Sequence, residues 1–380
     1  MTYEHPGRLS RRNALHLIGA ASAAYGVGGF YAEQMLEAQG WLTAKSRSPV
    51  TFPKGAIVRT VLKDVDPQVL QGGATAWHEH LAFGYASPPP PRAAGQPLAR
   101  APLMETVELV AEELRQAAFD GLSGIVDANA SGKSGREPDQ IEFLKQVAAK
   151  VPKVQILVAG GPFKDPYAPE VVKQSVDELT ETMARESIAQ RWSSMGEIGT
   201  SMKMSAEERK VLTAIAKTHV RTGLPIFSHT EHEGCASCAL EQLDLFESQG
   251  VDLKHLVIGH LTDIKPGSEP LGQTAKAIAK RGAFLGFDTV GHQMQASMNP
   301  EAGKVRYVLE VLNAGFEDNL MLAADFSQSP QLKANWGNGF STVLVQFVPK
   351  LRYAGVSDAT LRKILIDNPL RFMSFVPKKA

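Results

Sequence analysis

The stretch TAWHEHL places two histidines, His78 and His80, one residue apart at the end of a short apolar run. On an extended strand alternate side chains share a face, so both imidazoles could meet one divalent ion. The same pair would also suit a solvated strand edge, and the spacing alone does not choose. Four more residues of ligand type accompany similar runs: Glu197 in SMGEIG, His229 after LPIFS, His260 after HLVIG and Asp325 after LMLAA. Four imidazoles and two carboxylates exceed the needs of one Zn²⁺ and suit two divalent ions sharing a bridging carboxylate. Such a pair lowers the pKa of water toward neutrality and turns it into a nucleophile, which is the chemistry of metal-assisted hydrolysis. With 10 His and only 2 Cys in the chain, nitrogen and oxygen donors are expected, and Zn²⁺ is the metal they suit best.

Elements that could bring these residues together are visible in the periodicity. Short apolar, β-branched runs recur: GATAW before His78, GLSGIV before Asp127, VQILVA before Gly160, then SMGEIG, LPIFS, HLVIG, AFLGF before Asp288, and LMLAA. Amphipathic helical segments such as METVELVAEELRQAAFD, SAEERKVLTAIAKTHVRTG and GQTAKAIAKRG lie between them, and Gly223, Gly282 and Gly315 stand where helix C-caps are expected. Strand and helix alternating eight times predicts parallel βαβ units closed into a (β/α)₈ TIM barrel, preceded by a short N-terminal β extension. An open doubly wound sheet would want a glycine-rich phosphate turn after its first strand, and HEHLAFGYASPPPP is nothing like one. In a barrel the ends of the strands form one rim, so His78, His80, Glu197, His229, His260 and Asp325 would converge there.

The remaining features bound the protein's setting. Residues 46–380 are expected to form the barrel, and residues 1–45 a signal and linker. Arg11 and Arg12 precede a weakly apolar, Ala/Gly-rich stretch with no charged residue before Glu33, which resembles a twin-arginine export signal. Folded delivery to a bacterial periplasm through the twin-arginine export machinery is therefore expected, with retention as an anchor left open. Forty basic residues match forty acidic ones, so no global field favours nucleic acid. The insert YASPPPPRAAGQPLARAP reads as a stiff surface loop or part of a lid. Cys235-Ala-Ser-Cys238 can be a redox pair, half a zinc site or two small residues on one helical turn. The last is favoured, and a local disulfide stays open for an oxidising compartment. A homodimer is the common default for a soluble oligomer.

The motifs GGATAWHEHL, MGEIGTS, LPIFSHT, VIGHLTD, GAFLGFD and MLAADFS, with the final DNPLRF, occur in order from about Ala56 to Pro377. Together they resemble the phosphotriesterase-like branch of the amidohydrolase superfamily. The resemblance implies that His78 and His80 with Asp325 hold the more buried metal, and that His229 and His260 hold the more exposed one. It implies that Glu197 bridges both, where the best-known members carry a carbamylated Lys. Asp325 would be the proton carrier, Asp263 would pass the proton outward, and His292 would be a further relay member or an exposed loop residue. His232 is expected to face away or to line the entrance, His219 to lie on a helix surface and His255 at a strand start.

The implied activity is hydrolysis of a carboxylic ester, lactone or phosphoester. Hydrolysis of an amide or other C–N bond is the alternative, and a metal-loaded barrel that binds a small molecule without turnover is a third reading. Thr289 stands where lactonases carry Arg and organophosphate hydrolases carry His, which weakens both of those assignments. Phe163, Tyr167 and Trp336 are candidates for an apolar substrate pocket.

Overall fold

The computed structural model describes residues 39–46, 49–82, 106–129, 131–232, 234–291 and 299–378. The twin-arginine stretch, the proline-rich insert and His292 lie outside the described residues. Among the described residues, no helix is long and apolar enough to cross a membrane.

A two-stranded antiparallel ribbon, β1 (Val58–Arg59) and β2 (Asp64–Val65), forms the expected N-terminal extension. Eight strands follow: β3 (Ala74–Glu79), β4 (Leu122–Asp127), β5 (Gln155–Gly160), β6 (Ser194–Gly199), β7 (Ile226–His229), β8 (Leu256–Ile258), β9 (Phe284–Phe287) and β10 (Leu320–Leu322). Each pairs in parallel with its sequence neighbour, giving one sheet in chain order. The ring is fastened by a parallel bridge between Glu79 and Phe326. The His80 amide donates to the Phe326 carbonyl (2.9 Å) and the Asp325 amide to the His78 carbonyl (3.1 Å). The Glu79 carboxylate adds two more bonds across the seam, accepting from the Ala324 amide (2.9 Å) and the Phe326 amide (2.7 Å). The fold is the predicted (β/α)₈ barrel.

Alternation explains the near-continuous apolar runs. Ile125, Ile156, Ile226, Leu256 and Leu320 join one cluster with the helices. Their neighbours Val126, Leu157, Phe227, Val257 and Met321 belong to a second cluster, on the inner side of the strands. Both faces are buried, as a parallel barrel requires.

The helices begin and end where local chemistry dictates. Helix α1 (Ala206–Thr222) opens with a capping box between Ser205 and Glu208 and stops at Gly223, whose φ of 79° is left-handed. Helices α2 (Gln273–Lys280) and α3 (Glu301–Asn313) are followed two residues on by Gly282 (φ 99°) and Gly315 (φ 86°). The segment after the last helix pairs with the segment before β1, since Ile57 and Phe375 exchange backbone hydrogen bonds of 2.9 and 3.0 Å.

Candidate metal centre and active site

The barrel brings all six expected ligand-type residues to one end. His78 projects from β3 and His80 from the residue just past its end, with ring centroids 5.8 Å apart. Glu197 comes from β6 and His229 closes β7. His260 and Asp325 stand just beyond β8 and β10, at φ 56° and 47°. Left-handed backbone costs a non-glycine residue about 1–3 kcal/mol, a cost sustained where surrounding structure fixes a functional side chain.

Glu197 is the hub. Its Oε1 lies 2.5 Å from His229 Nδ1, 2.8 Å from His260 Nε2 and 3.5 Å from His78 Nε2. Its Oε2 lies 3.8 Å from His80 Nε2, which is itself 3.0 Å from Asp325 Oδ1. One carboxylate thus stands between His78, His80 and Asp325 on one side and His229 and His260 on the other.

Behind the ligands sits a residue the sequence reading did not single out. Asp288, fully buried after β9, accepts from His78 Nδ1 through Oδ2 (2.8 Å). Its Oδ1 takes the His260 amide (2.7 Å) and faces His260 Nδ1 (3.1 Å). One carboxylate therefore occupies the back nitrogens of two imidazoles and turns both Nε2 lone pairs toward Glu197, which is the orienting role outer carboxylates play around metal-bound histidine. The signal was its place at a strand end, in GAFLGFD.

The inward-facing atoms do not satisfy one another. His78 Nε2 is buried without a hydrogen bond and faces two carboxylate oxygens, Glu197 Oε1 at 3.5 Å and Asp325 Oδ1 at 3.8 Å. His229 Nδ1 and His260 Nε2 lie 2.8 Å apart. Lone pairs aimed at lone pairs require positive charge between them, either protons or metal ions. The titration behaviour agrees. Burial alone would lower His78, but Glu197 and Asp288 outweigh it and push the pKa up to about 10. His260 also rises against burial, through Asp288 and Glu197, whereas burial holds His229 down at about 4. Burial works to raise both carboxylates, yet the imidazoles keep Glu197 well below the usual range and Asp325 at about 2. Two groups, His78–His80–Glu197 and His229–His232–His260, each have ligand atoms within 4.8 Å of one another and could hold a metal ion. The donor set fits two divalent ions.

His232 does not face away. Its Nδ1 is 3.0 Å from Asp263 Oδ2 and its Nε2 is 3.9 Å from Asp325 Oδ2, so it spans the two acids. Its ring packs 4.3 Å from that of His260 while about a third of the side chain meets solvent. Asp263 is fully buried and also accepts from Thr289 Oγ1 at 2.7 Å. Lys304, buried behind this loop, donates to the Thr289 carbonyl.

Other expectations are corrected or refined. His219 is buried in the last turn of α1, where Nδ1 donates to the Leu224 carbonyl (2.7 Å) and Nε2 accepts from the Asp252 amide (3.1 Å). His255 does stand immediately before β8. Cys235 and Cys238 are joined by a disulfide rather than being two small residues on a turn. Of the three aromatic candidates, Phe163 reaches the centre, edge-on to His229 at 4.9 Å. Tyr167 packs in the core and Trp336 is 99% exposed, so neither shares that position.

The pattern of the Phosphotriesterase family matches residues 56–373. The chain belongs to that family. It is a metal-dependent hydrolase of the phosphotriesterase family. The N-acetyltaurine hydrolase of Danio rerio is 28% identical over 355 residues, covering 84% of this chain and 98% of the relative. The phosphotriesterase homology protein of Escherichia coli (strain K12) is 34% identical over 228 residues, covering 58% of this chain and 74% of its own. Among solved structures, a resiniferatoxin-binding protein from Rhodobacter sphaeroides superposes with a TM-score of 0.70 at 28% identity, covering 87% of this chain and 98% of that one.

Proposed function

We propose that this protein hydrolyses the C–N bond of a small amide, with His78, His80, Glu197, His229, His260 and Asp325 holding two divalent ions, Zn²⁺ being the expected metal. Ions bound there would supply an activated water and polarise the substrate carbonyl. The chain's own task is to manage the proton. An amide differs from an activated ester in its leaving group, because an amine must be protonated as it departs.

The observation that carries the amide reading is His232, held by Asp263 and within 3.9 Å of Asp325 at the exposed edge of the site. Asp325 accepts the proton released by the attacking water, His232 Nε2 receives it, and the same ring delivers it to the leaving nitrogen. Asp263 keeps the ring in place throughout. The likeness to relatives named N-acetyltaurine hydrolase, over 84% of this chain and 98% of theirs, supports the same class of bond.

The test is turnover by metal-loaded protein of acetamides, esters, lactones and phosphotriesters, before and after chelation. Chelator-sensitive cleavage of acetamides is expected, with His232→Asn lowering kcat/KM on amides by about 10²-fold or more and on activated esters by less. Cleavage of esters, lactones or phosphotriesters with amides untouched would return the assignment to the ester class. The reading includes export in folded form through Arg11 and Arg12, and replacing both by Lys should keep the protein in the cytoplasmic fraction.

A further inference from the structure

We propose that Lys164 anchors an anionic group on the amine half of the substrate, and that Glu231 holds the place of that anion until substrate arrives. The proposal rests on the amide reading above. Lys164 lies in the loop after β5, directly after Phe163, whose ring meets His229. The Phe163 backbone is clamped on both sides: its amide donates to the Ser131 carbonyl (2.8 Å) and its carbonyl accepts from the Gly199 amide (2.5 Å). From this fixed base Lys164 Nζ reaches Glu231 Oε1 at 2.6 Å. Glu231 is two residues past His229 and immediately before His232, the proposed proton donor to the leaving nitrogen. The pair therefore links the β5 and β7 loops, next in the chain to Phe163 on one side and to His232 on the other.

Both side chains are 22% exposed, so the pair is neither sealed in the core nor free in solvent. Partly exposed ion pairs contribute little to stability and are open to exchange. Exchange with an anion is the favourable direction. It keeps the Lys164 ammonium paired and releases a carboxylate next to histidines that carry the positive charge of bound metal. Exchange with a cation would do the reverse and leave an unpaired ammonium beside the same metal ions. Sulfonate and carboxylate share the required chemistry, and a neutral tail would have to leave the resting pair intact.

The experiment uses Zn²⁺-loaded protein and four acetamides of matched length ending in sulfonate, carboxylate, ammonium or methyl. Turnover and calorimetric binding are measured for the parent, Lys164→Met, Lys164→Arg and Glu231→Gln, with melting temperature confirming that each variant is folded. The expected result is kcat/KM at least tenfold higher for an anionic amide than for the methyl one, the sulfonate-to-carboxylate ratio identifying the preferred anion. Lys164→Met should bring the anionic amides down to the methyl level through KM, with binding of the anionic amides weakened in parallel, and Lys164→Arg should restore part of the preference. Glu231→Gln should tighten binding of the anionic amides. Equal turnover of all four tails, or preference for ammonium, would overturn the anchor and leave the amide reading standing. If esters alone are cleaved the amide reading fails, and the same comparison on anionic and neutral esters still decides the anchor, equal rates overturning it.

Discussion

Two histidine pairs in this barrel differ in what their nitrogens face, and the difference is clearest between His260 and His219, which are both buried. At the strand ends, His229 and His260 have ring centroids 4.5 Å apart; near α1, His219 and His255 are 6.5 Å apart. Both ring nitrogens of His219 are satisfied by backbone, at 2.7 and 3.1 Å. His260 has only its back nitrogen engaged by Asp288, and its Nε2 is aimed at another imidazole and a carboxylate. Burial therefore does not separate a structural histidine from a functional one. The unreconciled lone pair does.

That contrast breaks first at Glu197. Glu197→Ala removes the one oxygen pair that stands between the two groups, and metal content should fall from about two ions per chain toward one or none, with activity falling to background. Elemental analysis after gel filtration checks it, and two retained ions with full activity would remove Glu197 from the centre. Asp288→Ala comes next, because it withdraws acceptors from His78 and His260 at once while touching neither inward nitrogen. Metal affinity should drop about 10–100-fold, read by competition with a chromophoric chelator, and unchanged affinity would demote Asp288 to packing.

His219→Gln sharpens the contrast from the other side. It should lower folding stability by about 1–3 kcal/mol through the lost backbone partners, measured by denaturant unfolding, and leave metal content as it was. The smallest effect is its pH dependence. Burial lowers the His219 pKa below 6.5, so the unfolded chain takes up the proton first as pH falls. Its contribution to stability is complete above about pH 6.5 and declines below it, until the folded pKa is reached. Parent and His219→Gln should therefore converge between pH 7 and about pH 5, and parallel curves would refute the assignment.

Much of this was legible in the sequence because strands and ligands share a period. A run such as LPIFS followed by His229 carries both the element and the residue at its tip. Asp288 carries the same mark at the end of AFLGF, but nothing in that spacing shows that it acts through the backs of imidazoles supplied by two other strands. His232 was ambiguous because nothing in HTEHE fixes which way a loop residue turns. His219 was readable and misassigned: it follows Leu212 by seven residues and Ile215 by four, the spacing of one buried helix face. The Cys235–Cys238 disulfide lay beyond spacing, which permits a bond between neighbouring thiols without requiring one.

The triplet His78-Glu79-His80 has one more consequence. Its odd member stitches the first barrel strand to the segment after the last, and its even members face Glu197 and Asp325. The amide of Asp325 is itself bonded to the carbonyl of His78 across that seam. Closing the ring and assembling the centre are thus a single event: a chain that has not joined its two ends cannot present Asp325 to His78 and His80. The clasp makes catalytic competence a report on complete folding, so that a barrel left ajar would be inert rather than partly active.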